Sequence, residues 1–265
     1  MLAVAAATVA ALLSGAVAAA TAPPASPVGG GAGSYLLTAT NTGSTYAPTF
    51  TGNGYLGVRV PPAGQGYAAG TVPAQSEVAG FYAQPSGAPQ QRANIPTWST
   101  FTFSDGGQDF APGVGTTTDW RQQLDLRTGA VTTTAVWTAP NGQVTDLRYV
   151  VATDRARANV ATVALRLTPR WSGTANVTDL IDGTPADQTT EVAKGWDAGA
   201  RQDWETVRTE GLGIVAGLAS TVGLGAGIPS VSDTPVEDDS STSVGQQLRS
   251  RSPKAGPTAS PSTSA

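Results

Sequence analysis

The chain contains no cysteine and no histidine among its 265 residues, and only one methionine. Without histidine there can be no Ser-His-Asp relay. Without cysteine there can be no disulfide, no thiolate nucleophile, no sulfur-ligated iron cluster and no zinc centre of the usual Cys/His kind. Acid–base chemistry is left to Asp, Glu, Tyr and Lys. No residue set calls for a metal or cofactor, and none is expected. Charge is also sparse, at 13% of residues with a net charge of −4. That is a poor match to nucleic acid, which needs a basic face. The missing cysteine does not by itself assign a compartment.

Leucine and isoleucine together number 20, against 60 valines and threonines. Branching at Cβ suits a pleated surface better than a helix. No segment of ten or more residues in the middle of the chain holds an amphipathic helical period. Helical bundles and coiled coils are therefore excluded. Strand-like runs lie at Tyr35–Thr40, Tyr55–Val60, Val78–Tyr82, Trp98–Phe103, Gln122–Leu126, Ala130–Thr138, Val144–Ala152, Val160–Thr168 and Ala175–Leu180, and turn residues punctuate most of the gaps. The clearest unit is a hairpin around Ala139-Pro140-Asn141-Gly142. It places Val131, Thr133, Ala135 and Trp137 on one face and returns Leu147, Tyr149 and Val151 inward, with Asp146 and Arg148 outward. Period-2 alternation with one wet face argues for antiparallel pairing, and repeated short strands argue for an all-β, large antiparallel β-sandwich over residues 35–228.

The two ends differ from this middle. Leu2 to Ala20 is small and apolar, and both Ala16-Val17-Ala18 and Ala18-Ala19-Ala20 fit a small-x-small cleavage site. Residues 1–20 are thus expected to be a secretory signal peptide, followed by a flexible leader over 21–34, which predicts a secreted protein. The competing reading is a membrane anchor, but the run is Ala-rich and only weakly hydrophobic. From about Pro229 the chain turns acidic and Ser-rich, then Ser- and Pro-rich, so residues 229–265 are expected to be disordered. A change of reading frame after about Leu248 would account for that shift.

Several residues are candidates for chemistry. Asp179 and Asp182 flank Leu180-Ile181 and read either as a paired acid site or as a turn in which Asp182 leads into Gly183. Asp125 reads as an ion-pair partner of Arg127 or Arg121. Trp98, after Asn94-Ile95-Pro96, and Trp171, after Pro169-Arg170, lie near strand ends and are the candidate carbohydrate platforms. Buried packing is the competing role for both, and Trp137 belongs to the core. Gly64-Gln65-Gly66 superficially matches a phosphate loop, but it neither follows a buried parallel strand nor opens a helix.

Thr51-Gly52-Asn53-Gly54-Tyr55-Leu56-Gly57-Val58-Arg59 is followed in order by Val78-Ala79-Gly80-Phe81-Tyr82, Asn94-Ile95-Pro96-Thr97-Trp98 and Leu124-Asp125-Leu126-Arg127-Thr128-Gly129. Together these resemble the N-terminal domain of glycoside hydrolase family 65, which includes secreted acid trehalases and the maltose, trehalose and kojibiose phosphorylases. The acid-trehalase branch is the most similar. The resemblance implies a galactose-mutarotase-like supersandwich. It also implies a parent enzyme acting on trehalose or a related α-glucoside, whose catalytic glutamate sits on a barrel that this chain does not contain. No residue here inherits a catalytic role, and the expected product is a truncated, non-catalytic part, inactive alone. The alternative is a stand-alone secreted carbohydrate-binding module. Carbohydrate is the expected partner, with no nucleic acid and no stable membrane span.

Overall fold

The computed structural model describes residues 3–13, 35–43, 46–65, 76–111, 113–225, 230–237 and 242–252. Among them there is no helix, and strands follow one another along the chain. They are β1 (Ala3–Leu13), β2 (Leu36–Ala39), β3 (Thr49–Gly52), β4 (Leu56–Val60), β5 (Ser76–Val78), β6 (Tyr82–Ala83), β7 (Gln91–Arg92), β8 (Thr97–Ser104) and β9 (Thr116–Asp125). The remainder are β10 (Val131–Thr138), β11 (Val144–Thr153), β12 (Val160–Pro169), β13 (Gly173–Asp182), β14 (Thr189–Asp197), β15 (Gln202–Thr209), β16 (Val215–Leu224), β17 (Ser230–Glu237) and β18 (Ser243–Ser252).

A nine-stranded sheet runs in the order β14-β15-β16-β1-β12-β11-β10-β9-β2. A four-stranded sheet, β17-β18-β13-β8, lies over β12, β14, β15 and β16, and the three-stranded sheet β3-β4-β5 packs on β11. Strands β6 and β7 form a separate pair. All pairings are antiparallel except those of β1, which runs parallel to both β12 and β16. The all-β sandwich is thus the architecture that the strand periodicity predicts.

The hairpin forms in the expected register, with Val131 opposite Val151, Thr133 opposite Tyr149 and Ala135 opposite Leu147. Gly142 takes φ of 85°, as the Asn-Gly turn requires. Val131, Thr133, Ala135, Trp137, Leu147, Tyr149 and Val151 are all buried, while Arg148 is exposed. Trp137 anchors this face. Its ring meets Phe103 and Phe110 edge-on at centroid distances of 5.3 and 5.5 Å, and its indole N–H donates to the Val114 carbonyl at 2.8 Å. Such pairs add about 1 kcal/mol each beyond area burial. Asp125 pairs with Arg127 at 3.4 Å, and hydrogen bonds from Arg127 hold its carboxyl below the usual range. Leu126 is half exposed, because β9 ends at Asp125 and Leu126 enters the turn.

Two boundaries depart from expectation. The segment after Pro229 is not uniformly irregular: β18 pairs with β13 from Ser243↔Asp182 to Ser252↔Gly173, and β17 flanks it. Val244, Gln246, Leu248 and Ser250 point inward and are buried, whereas Arg249 and Arg251 are exposed. A Ser- and Gln-rich composition conceals this period-2 alternation, because inward positions beside a polar cluster do not have to be apolar. Pairing also continues in register through Arg249, Ser250 and Arg251, across the point proposed for a change of frame. The rest of the expected tail, residues 253–265, lies outside the described residues, as does the leader over 21–34. At the other end, Ala3–Leu13 of the expected signal peptide is a sheet strand. An uncharged run of small residues can extend as readily as coil, and here it fills the slot between β12 and β16.

Candidate functional site

The Gly-Asn-Gly-Tyr segment shapes an open groove of about 380 Å³ between the β3–β4 hairpin and the β5–β7 region. Asn53 is its keystone. The side-chain carbonyl accepts from the backbone N–H groups of Tyr55 (2.9 Å) and Leu56 (2.8 Å). The side-chain amide donates to the carbonyls of Asp154 (2.6 Å) and Ala158 (2.9 Å) in the β11–β12 connection. One asparagine therefore closes the local turn and ties it to the large sheet. Gly54, at φ 90°, allows the chain to reverse there. The Phe50 ring lies across Gly57, where any Cβ would collide with it, and leaves half of its surface exposed. Tyr55 and the exposed Tyr82 also line the groove. Arg92, opposite Tyr82 in the β6–β7 pair, grips Glu77 through Nη1 at 2.9 and 2.8 Å to the two carboxylate oxygens.

The candidate platforms Trp98 and Trp171 are not in this groove. They are only 2% and 7% exposed, and the Trp171 indole N–H donates to Thr145 Oγ1 at 2.9 Å. Both rings are part of the packed interior, so neither offers a face to a sugar. Their places near strand ends suggested access, but both belong to the buried core cluster. The exposed rings at the groove are instead Phe50 and Tyr82, each two residues from a groove glycine, Gly52 and Gly80, and that proximity is the signal that could have found them.

A second polar cluster crosses the interior. Asp179 on β13 stands opposite Gln246 on β18, and Asp203 on β15 stands opposite Ser220 on β16. Ser220 Oγ donates to Asp179 Oδ2 at 2.5 Å, and Gln246 Nε2 donates to Asp203 Oδ1 at 3.3 Å. Each sheet thus contributes one pair, and two hydrogen bonds cross between the sheets. Glu205 lies beside them near the Asp182-Gly183 turn. Asp182 itself follows the turn reading: its Oδ1 accepts from the Thr184 N–H at 3.0 Å and from Ser243 Oγ at 2.9 Å. Burial raises the pKa of Asp179, and burial together with the Asp179 charge raises that of Asp203. Glu205 is pushed up to about 8 by burial and by the Glu191 charge. One oxygen each of Asp179, Asp203 and Glu205 has no hydrogen-bond partner. Burial thus favours the neutral form of each, which suits a structural role in the interior. None of the three is more than 1% exposed, so no substrate reaches them. Among the described residues no group of acids is arranged to hold a metal ion.

Residues 37–258 match the family model for Glycosyl hydrolase family 65, N-terminal domain. The chain belongs to this family. No curated protein matches it. Among solved structures, a putative kojibiose phosphorylase from human microbiome superposes with a TM-score of 0.61 at 14% identity. The alignment covers 83% of this chain and 30% of that one, and at that identity it establishes the fold alone.

The family-65 domain carries one carboxylate, Glu77, in the lining of its groove, and Arg92 already neutralises it. Glycoside cleavage by the usual route needs two carboxyl groups flanking the scissile bond. The groove as it stands can hold a ligand against aromatic faces and offer it one charged pair. It does not supply the second acid.

Proposed function

We propose that this chain is the non-catalytic β-sandwich part of a secreted family-65 enzyme acting on trehalose or a related α-glucoside, and that it turns over no sugar by itself. The observation that carries this reading is the placement of the acids. The three with raised pKa values are sealed between sheets, and the open groove has only Glu77, already paired with Arg92. The family resemblance takes in phosphorylases as well as hydrolases, which keeps phosphorolysis within the range of parent activities. Secretion is supported by the small apolar N-terminus and its two small-x-small sites. Purified chain incubated with trehalose, maltose or kojibiose, with and without inorganic phosphate, tests the catalytic part of the proposal. No glucose or glucose phosphate above a matched blank is expected, and turnover would overturn it. The mass of the N-terminus of exported protein tests secretion: loss of residues through Ala18 or Ala20 is expected, and an intact leader counts against it.

A stand-alone carbohydrate-binding role is the second reading. It is favoured by one specific feature, the exposed aromatic rings around the groove.

A further inference from the structure

We propose that the groove bounded by Phe50, Tyr55 and Tyr82, with the Glu77–Arg92 pair at its rim, is a binding site for a neutral glucosyl oligosaccharide. The proposal rests on the family reading only for the choice of sugar, since the geometry is independent of it.

Three features converge on this ligand class. The first is the presentation of the rings. Phe50 is held against Gly57, so one face of the ring is fixed on backbone while half of its surface remains open to solvent. A phenyl face so exposed costs free energy in water and is recovered when a C–H-rich surface covers it. Pyranose rings present such a surface, and Tyr82, 41% exposed on the same groove, offers a second with a hydroxyl at its tip. The second feature is the floor. Gly54 and Gly80 contribute no side chains, and apart from their chain neighbours no atom stands within 4 Å of where a Cβ would be at either. A ligand can therefore approach the backbone closely. The third is charge. Arg92 and Glu77 compensate each other, so the groove offers no net charge to an anion. The pair still places a guanidinium donor and a carboxylate acceptor side by side, which suits a sugar hydroxyl that both donates and accepts. The volume of about 380 Å³ is at the small end of the usual range for small-molecule sites and suits a short saccharide. Asn53 prepares the site by fixing the Tyr55 turn through four hydrogen bonds, so little ordering remains to be done on binding.

Isothermal titration of the full chain with maltotriose and with trehalose, alongside glucose 1-phosphate and glucuronate, provides the test. Saturable binding of the neutral sugars is expected, with weaker or no binding of the anions. Tyr82→Ala should weaken the neutral sugars about tenfold, because one ring face is lost, while leaving the unfolding midpoint unchanged. Phe50→Ala should act in the same direction, and Tyr82→Trp should retain or improve binding if Phe50→Ala proves unstable. A titration flat to roughly 20 mM sugar, where even a millimolar complex would be saturated, overturns the proposal. So does binding that Tyr82→Ala does not affect, or a preference for the anions. The turnover assay separates this outcome from the non-catalytic reading: turnover with silent titrations refutes both, whereas binding without turnover supports both.

Discussion

The inter-sheet acids make the stability of the domain depend on pH in an unusual direction. Glu205 titrates near 8 in the folded chain, against an ordinary value of 4.5. Below pH 4 both folded and unfolded forms hold the proton, and the group has no effect. As pH rises past its unfolded value, the unfolded chain releases the proton while the fold retains it, so stability falls. The loss levels off near pH 8, where the folded group ionises too. Across that window Glu205 alone costs about 4 kcal/mol, from roughly 1.4 kcal/mol per pH unit. Asp179 and Asp203 act in the same direction. The groups facing Glu205 are Glu191 and Lys194 from β14 and Asp182 from β13, and burial outweighs them all. Glu205→Gln keeps the shape and abolishes the titration. Urea unfolding followed by tryptophan fluorescence from pH 4.5 to 8.5 should show wild type losing about 4 kcal/mol more than the variant. Parallel curves for the two proteins would refute the assignment of Glu205 as a buried neutral acid.

Three further outcomes are expected. Asn53→Ala removes four hydrogen bonds and should lower unfolding stability by about 3 kcal/mol, measured by denaturant titration; a change below a few tenths would remove Asn53 from its keystone role. Gly245→Ala places a Cβ against the Asp179 carbonyl and should push β18 off β13, costing about 2 kcal/mol; a neutral result would mean that β18 is not docked as described. Deletion of residues 1–34 leaves the facing edges of β12 and β16 without the strand that pairs with both, so concentration-dependent self-association is expected in sedimentation velocity. A strictly monomeric deletion variant would show that the sheet closes without β1.

The last experiment matters for secretion as well. Cleavage after Ala18 or Ala20 and occupation of the slot by Ala3–Leu13 exclude one another in a single molecule. The same uncharged, small residues satisfy both a leader and a strand, and local composition has no term that separates them.

The strand pattern of residues 130–168 was legible because most inward positions, such as Val131, Trp137, Leu147, Tyr149, Val163 and Leu165, are large or branched, while Asp146, Arg148 and Arg166 mark the outward face, so face and register follow from the pleat. The groove motif was legible in part: the Asn53-Gly54 turn follows from residue types, but its tie to Asp154 and Ala158 links positions about a hundred residues apart. Trp98 and Trp171 were misplaced because a tryptophan near a strand end looks the same whether or not another sheet lies over it. β18 escaped notice because its inward residues include Ser250 and Gln246, and the burial of Gln246 makes sense only opposite Asp203.

Residue chemistry alone therefore determined the class of fold, the exclusion of histidine- and cysteine-based chemistry, and the hairpin at Asn141-Gly142. These depend on intrinsic backbone preference and a period of two, which neighbours in the chain already encode. Packing of one sheet on the other decided which aromatic rings are exposed, which acids are pushed toward their neutral form, and that β18 belongs to the second sheet. Each of those is a difference in solvation, and solvation is set by what comes to lie across the interface from a side chain.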